Sequence, residues 1–295
     1  MTSVQETSVS QETDGLVGWI IEAKGEVWLK REQWSDYRRI TVGTKLYPGD
    51  LLQPARGARV LVQCANGTTI WSVPADVISG ATNGCPPQPV PVFRNTGDIA
   101  PLRSGINPLI PYIISPRRTK LLNPLPTLRW NAVPSASRYA VSLIVDEEDV
   151  LWETQVEGTE VVYSGESPLE SGVDYLLMIE ANTGASSLED DSPDFGFSLL
   201  DENEATVVRE AVEQLVKLDL ADETKSLALA HLYRVHDLKA EAIAILEALE
   251  KQGSRTAAIY RTLGDLYLDV ELNPLAQSYY LRATQLATEA GEVEE

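Results

Sequence analysis

Along residues 15–80, apolar and polar positions alternate in short runs broken by glycine, the pattern of half-buried strands. GEVWLK (25–30), ARVLVQC (58–64) and TTIWSV (68–73) alternate most clearly. Asn66-Gly67 between the last two predicts a tight hairpin turn, because both residue types tolerate positive φ. The pattern lapses over residues 86–126, which hold ten of the seventeen prolines and predict an extended, semi-rigid linker. Alternation resumes over 127–200, where Tyr139, Val141, Leu143 and Val145 mark one strand. Val150, Trp152, Thr154 and Val156 mark a second, with 146–149 as the turn, and Tyr175, Leu177, Ile179 and Ala181 a third. From residue 201 the apolar period lengthens to that of a helix, with Val207, Val208, Ala211, Leu215 and Leu218 on one face of a segment over 204–218.

The last ninety-five residues (201–295) also repeat. Tyr260, Leu263, Gly264, Tyr267, Ala276, Tyr280 and Ala283 recur 34 residues earlier as Ser226, Leu229, Ala230, Tyr233, Ala242, Leu246 and Leu249. This spacing resembles the tetratricopeptide repeat, a helical hairpin that stacks on its neighbours, with repeats near 223–256 and 257–290. Gly264, Ala276 and Ala283 are small where two helices would approach closely. The resemblance implies a partner-binding groove lined by the first helix of each hairpin, at Leu227, His231, Arg234, Arg261, Asp265 and Leu268. Chaperone-binding members grip a C-terminal carboxylate with Lys, Asn and Arg. Here Leu227 and His231 stand where Lys and Asn are needed, and Asp265 where Asn is, so that clamp is absent. Arg234 and Arg261 would be positive points for a helix or extended peptide. Five residues follow Ala290, so either the outer face of the last hairpin is unusually polar, or a homo-oligomer forms by stacking Tyr279 and Leu286 across two chains.

Two further resemblances complete a multidomain reading: all-β N-terminal and middle domains followed by an all-α repeat array. Gly25, Val27, Leu29, Val42-Gly43-Thr44, Leu46, Gly49-Asp50-Leu51-Leu52, Gly57-Ala58-Arg59-Val60 and Asn66-Gly67-Thr68 resemble the FecR-type domain of bacterial envelope proteins, over residues 15–85. Residues 127–200 are similar to a fibronectin type III sandwich. Trp130 and Tyr139 would be early core aromatics, and Leu169 six residues before Tyr175 would mark the corner that carries a tyrosine. Residues 1–14 are polar and read as a disordered tail.

Charge refines this picture. The net charge is −20, with +4 over residues 1–130, −14 over 131–200 and −10 over 201–295. Such acidity argues against nucleic acid as a partner. Six basic residues stand between Arg94 and Arg129 against Asp98 alone, which predicts that this connector lies along an acidic module. No run is long enough for a transmembrane helix. The N-terminus does not read as a secretory signal.

Chemistry is sparse. Cys64 and Cys85 flank one hairpin, and a disulfide between them would place the protein outside the cytoplasm, in the periplasm or cell envelope. Two free thiols would instead indicate the cytoplasm. His231 and His236 lack the spacing and third ligand of a metal site. The acidic clusters at 146–149 and at Glu189, Asp190, Asp191 and Asp194 lack calcium-loop spacing. No nucleophile elbow or phosphate loop occurs, so no catalytic residue and no cofactor is expected. An enzyme would need a perturbed carboxylate pair in a cleft. Trp19, Trp28, Trp34 and Trp71 concentrate in the first module, as core residues or as stacking platforms for sugars. The function expected is therefore a non-enzymatic scaffold or adaptor of the cell envelope that binds a protein through its repeats. The alternative is a ligand- or glycan-sensing component acting through the FecR-like domain.

Overall fold

The computed structural model describes residues 15–86, 107–145, 149–190 and 196–290. The chain divides into two units, residues 1–99 and 100–295. In the first, the strands are β1 (Gly18–Lys24), β2 (Val27–Lys30), β3 (Arg38–Arg39), β4 (Lys45–Leu46), β5 (Leu51–Pro54), β6 (Arg59–Cys64), β7 (Ile70–Val73) and β8 (Ser79–Gly80). A short helix, α1 (Ala81–Gly84), follows them. Two four-stranded sheets form, β4-β1-β6-β7 and β3-β2-β5-β8. Val27, Leu29 and Leu52 from one sheet join Ile20, Val60, Val62 and Val73 from the other in one core. β1 departs from simple alternation: a register shift between Ile20 and Glu22 lets both Ile20 and Ile21 be buried.

The residues of the Val-Gly/Gly-Asp pattern are structural. Gly43 and Gly49 adopt positive φ, and buried Asp50 accepts a hydrogen bond from the Tyr47 amide at 2.9 Å, closing the turn before β5. At the β6–β7 hairpin only Gly67 has positive φ. Asn66 instead accepts hydrogen bonds through its side chain from the amides of Thr68 and Thr69. Cys64 and Cys85 form a disulfide that ties α1 to β6. For a loop of 21 residues the chain-entropy model assigns it about 3 kcal/mol.

The second unit begins within the proline-rich stretch. Residues 87–106 of that stretch lie outside the described residues, and the rest of it supplies β9 (Ile113–Ser115) and β10 (Thr119–Leu121). β11 (Thr127–Trp130), β12 (Tyr139–Val145), β13 (Asp149–Val156), β14 (Glu160–Val162), β15 (Asp174–Ala181) and β16 (Phe197–Leu199) follow. The strands form sheets ordered β10-β16-β15-β12-β13 and β14-β11-β9, with β10 and β16 parallel. Trp130 and Tyr139 meet edge to face inside, 5.6 Å apart. The Tyr175 hydroxyl accepts from the Glu170 amide at 2.8 Å, beside buried Leu169, which makes the expected corner. β13 differs from its reading. A register shift beside Leu143 pairs Ile144 with Val150, and Val150 is exposed although Trp152 is half-buried.

Five helices complete the unit: α2 (Glu202–Val216), α3 (Asp222–Val235), α4 (Lys239–Lys251), α5 (Ala257–Asp269) and α6 (Asn273–Glu289). Asp201 caps α2 by accepting from the Glu204 amide at 2.9 Å. The repeat recurs in backbone geometry. Asp237 and Glu271, 34 residues apart, take φ of 61° and 60° in the turns of the two hairpins. The following Leu238 and Leu272 amides each donate 2.8 Å bonds to the carbonyls of Tyr233 and Tyr267. Gly264 is required by proximity, since a Cβ there would come within 2.6 Å of the Tyr280 ring. The outward positions of α6 include polar Gln277, Ser278, Thr284, Gln285 and Thr288, with Leu281 64% exposed among them.

Candidate functional site

What is left open on the helices depends on how the sandwich grips them. The basic residues over 117–129 meet the acidic helical region side by side. The Arg117 side chain is buried, donates to the Val270 carbonyl at 2.9 Å and pairs with Asp190. Arg118 pairs with Glu271, and Lys120 with Glu204. Thr119 Oγ1 accepts from the Lys239 amide at 2.8 Å, and the Lys120 amide donates to the Asp237 carbonyl. Arg129 places two N–H groups on the Glu247 carboxylate, at 2.6 and 3.1 Å, and Tyr267 donates to the same carboxylate. Burial alone would raise the Glu247 pKa, but the hydrogen bonds from Arg129 and Tyr267 outweigh it and hold the group below its ordinary value. Leu122, Leu200, Ala205, Val208 and Leu238 give the junction an apolar centre. The sandwich therefore occupies α4 and both hairpin turns.

The α3/α5 side is left. Of the six residues expected to line a groove there, Leu227 and His231 lie inside the array, each 2% exposed. Their neighbours Ala228, Leu229 and Ala230 are buried as well, because α3 is surrounded on most sides. Arg234 is half-buried and neutralised. It forks onto Asp269 at 2.7 and 3.1 Å and reaches Asp265 at 3.5 Å, while Tyr280 donates to Asp265 at 2.8 Å. The positive point expected at Arg234 thus serves as a staple between repeats. Arg261, Asp265 and Leu268 follow one another at four and three residues along a single face of α5. Among the described residues Arg261 makes no ion pair, and Leu268 and Val235 are exposed. Of the six expected positions, Arg261 and Leu268 stay accessible, while Arg234 and Asp265 are closed into a network with Asp269.

Tyr279 and Leu286 are used within the chain. Tyr279 stacks on Tyr267, with ring centroids 5.3 Å apart and planes 4° from parallel, and Leu286 is buried. Both residues are engaged within one chain, and the large apolar side chain that α6 leaves exposed is Leu281.

A second feature had no signal in the sequence. Between α4 and the β14-β11-β9 sheet lies a cleft of about 430 Å³. Arg129 and Glu160 are directly paired across β11 and β14, so both side chains leave the same face of the sheet toward α4. On α4, Ala240 and Ala244 stand one turn apart and are too small to fill the space. Glu241 lines it too. Its Oε1 accepts from the Leu122 amide at 2.7 Å, and its Oε2 is buried without a hydrogen-bond partner. Burial raises the Glu241 pKa, against the pull of the amides of Leu122, Glu241 itself and Asn123. The sequence could not announce this site because its residues come from three separated segments.

The remaining expectations sort by burial. Trp19 is buried, Trp71 packs on the Gly84 backbone, and Trp34 lies under the guanidinium groups of Arg31 and Arg38 at 4.9 and 4.7 Å. Trp28 differs, standing in a row between Arg39 and Gln53 on β3-β2-β5. His231 is internal, and His236 Nδ1 lies 3.7 Å from Glu204. Among the described residues no cluster suits a metal ion, and no helix is long and apolar enough to cross a membrane. Asp149 opens β13, Glu189 caps a short turn and Asp190 pairs with Arg117, whereas residues 146–148, Asp191 and Asp194, like the 1–14 tail, lie outside the described residues. The chain as a whole matches no protein-family model and no curated protein.

Proposed function

We propose that the protein is a non-enzymatic scaffold or adaptor that holds a protein partner on the α3/α5 side of its helical hairpins. The observation that carries this reading is the division of the array's surface. The sandwich takes α4 and both turns, and one face of α5 keeps exposed Leu268 and an Arg261 that makes no ion pair among the described residues. A peptide with acidic and apolar side chains, helical or extended, suits such a strip. The 34-residue recurrence supports reading the hairpins as tetratricopeptide repeats. The strand order and tyrosine corner support a fibronectin type III-like sandwich, and the Gly-Asp turn and hairpin support a FecR-like first domain. The disulfide favours an oxidising compartment such as the cell envelope. A photo-crosslinking residue at position 268 is expected to capture one defined envelope protein, and one at position 277 on the outer face of α6 is not. Arg261→Glu should abolish the capture. Equal capture from both positions, or capture indifferent to Arg261→Glu, would remove the groove from the reading.

A second reading is favoured by Trp28 alone, whose position between Arg39 and Gln53 on an open strand row suits stacking against a sugar ring flanked by polar groups. Quenching of tryptophan fluorescence by cell-wall fragments, abolished in Trp28→Ala, is its test; unaltered quenching in that variant would eliminate it.

A further inference from the structure

The outward face of the β3-β2-β5-β8 sheet gathers an aromatic ring and two cations. Residues paired directly across strands share a face, so Arg39, Trp28 and Gln53 form one row on it, and Lys30, Leu51 and Gly80 form the next. The opposite face gives Val27, Leu29 and Leu52 to the core. Trp34 and Trp71 pack against that core, whereas half-buried Trp28 does not. Trp34 is also covered by Arg31 and Arg38, so among these three rings Trp28 is the one left to a ligand. With strands about 4.8 Å apart, the Arg39–Trp28–Gln53 row is about 10 Å wide, the scale of a sugar ring with its substituents.

Charge then selects the ligand. Exposed Arg39 makes no ion pair among the described residues, and neither does Lys30, whose ammonium lies 5.9 Å from the centroid of the Tyr37 ring. The ion pairs of this unit use Lys24, Arg31 and Arg59 instead, and exposed Glu26 and Glu32, beyond the two ends of β2, bridge neither cation of the face. Although the whole chain is acidic, residues 15–86 carry eight basic side chains against six acidic ones, so an anion is not repelled here. Lys30 and Arg39 are diagonal neighbours about 7–8 Å apart at the backbone, and their long side chains can meet on one carboxylate. A neutral sugar would leave both cations unused, and an anion without a ring would leave the indole uncovered.

We propose that this face binds the uronic acid units of an acidic polysaccharide, with a sugar ring stacked on Trp28, its hydroxyls on the Gln53 amide and its carboxylate between Arg39 and Lys30. The assignment rests on the Trp28 reading above and adds charge selectivity to it. It is separate from the α3/α5 patch and does not depend on it.

Isothermal titration of the full-length protein with tetragalacturonate at low ionic strength tests the assignment. Its fully methyl-esterified form is the uncharged counterpart, and tetraglutamate is the ring-free one. Saturable binding of the acid at least fivefold tighter than either counterpart is expected, weakening as salt is added. Lys30→Gln/Arg39→Gln should weaken the acid at least fivefold and leave the ester unchanged. Lys24→Gln/Arg56→Gln, the same charge change outside that face, should leave both unchanged. Trp28→Ala should weaken acid and ester together, and circular dichroism of each variant checks that the fold is intact. Equal affinity for acid and ester, both lost in Trp28→Ala, overturns the proposal while the sugar-stacking reading stands. Binding that is absent, or unchanged in folded Trp28→Ala, removes both. Tetraglutamate binding as tightly as the sugar acid would assign the face to an acidic peptide and likewise overturn the proposal.

Discussion

Arg129→Ala should uncouple the helical region from the sandwich. The guanidinium places two hydrogen bonds on Glu247, whose side chain is 11% exposed, and keeps only 24% of its own side-chain surface in water. Removing one partner of such a pair leaves the other charge buried and costs about 3–5 kcal/mol. Tyr267 would still donate to Glu247, and the pair is not wholly desolvated, so the low end of that range applies, about 3 kcal/mol. At 1.36 kcal/mol per tenfold, this is a rise of roughly 100-fold in the opening equilibrium of the helices. Hydrogen exchange read by mass spectrometry on peptides covering α4 and α5 would report it as a fall of about two orders of magnitude in protection. Protection across β12 and β15, which the Arg129–Glu247 pair does not touch, should fall much less. The double variant Arg129→Met/Glu247→Leu, which removes both charges, should lie close to wild type. A loss below threefold in Arg129→Ala, or a double variant as impaired as the single one, would refute the claim that this pair couples the two regions.

Three other outcomes are expected. Gly264→Ala should destabilise by about 1–3 kcal/mol in urea unfolding, because the new methyl displaces the Tyr280 ring from its bond to Asp265. The double variant Cys64→Ala/Cys85→Ala should lower the stability of the N-terminal unit by about 3 kcal/mol, and reducing agent should no longer alter its denaturation midpoint. Glu241→Gln should raise the thermal midpoint at pH 7 by about 2 °C in scanning calorimetry. Burial raises the pKa of Glu241, so its favourable contribution is complete below the unfolded pKa of about 4.3 and lost as pH rises through the folded value; the advantage of glutamine should fade toward pH 4.

The legible parts of the sequence were those with a local period. The hairpins appeared because small residues at Gly264, Ala276 and Ala283 and large ones between them recur at fixed intervals, and the turns at Asp237 and Glu271 repeat at the same distance. The disulfide was legible because both cysteines flank one hairpin. Phase errors entered where one residue is added to a ladder, as beside Leu143, since nothing local marks a bulge. β9 and β10 were hidden by surrounding prolines, their pairing being set by strands far along the chain. The groove residues Leu227 and His231 failed for a related reason. Helical periodicity shows which side of α3 a residue is on, but burial there depends on how many neighbours surround the helix. The α4 cleft lay beyond local reading altogether, as its walls are distant in sequence.

The parallel pairing of β10 with β16 has a mechanical consequence. Tension that draws the start of β10 and the end of β16 apart runs along a ladder of Thr119–Phe197, Lys120–Ser198 and Leu121–Leu199. Parallel neighbours pulled from opposite ends slide past each other, so the bonds of that ladder share the load instead of failing one by one. Loaded between those two ends, the sandwich would act as a link that resists extension and yields abruptly.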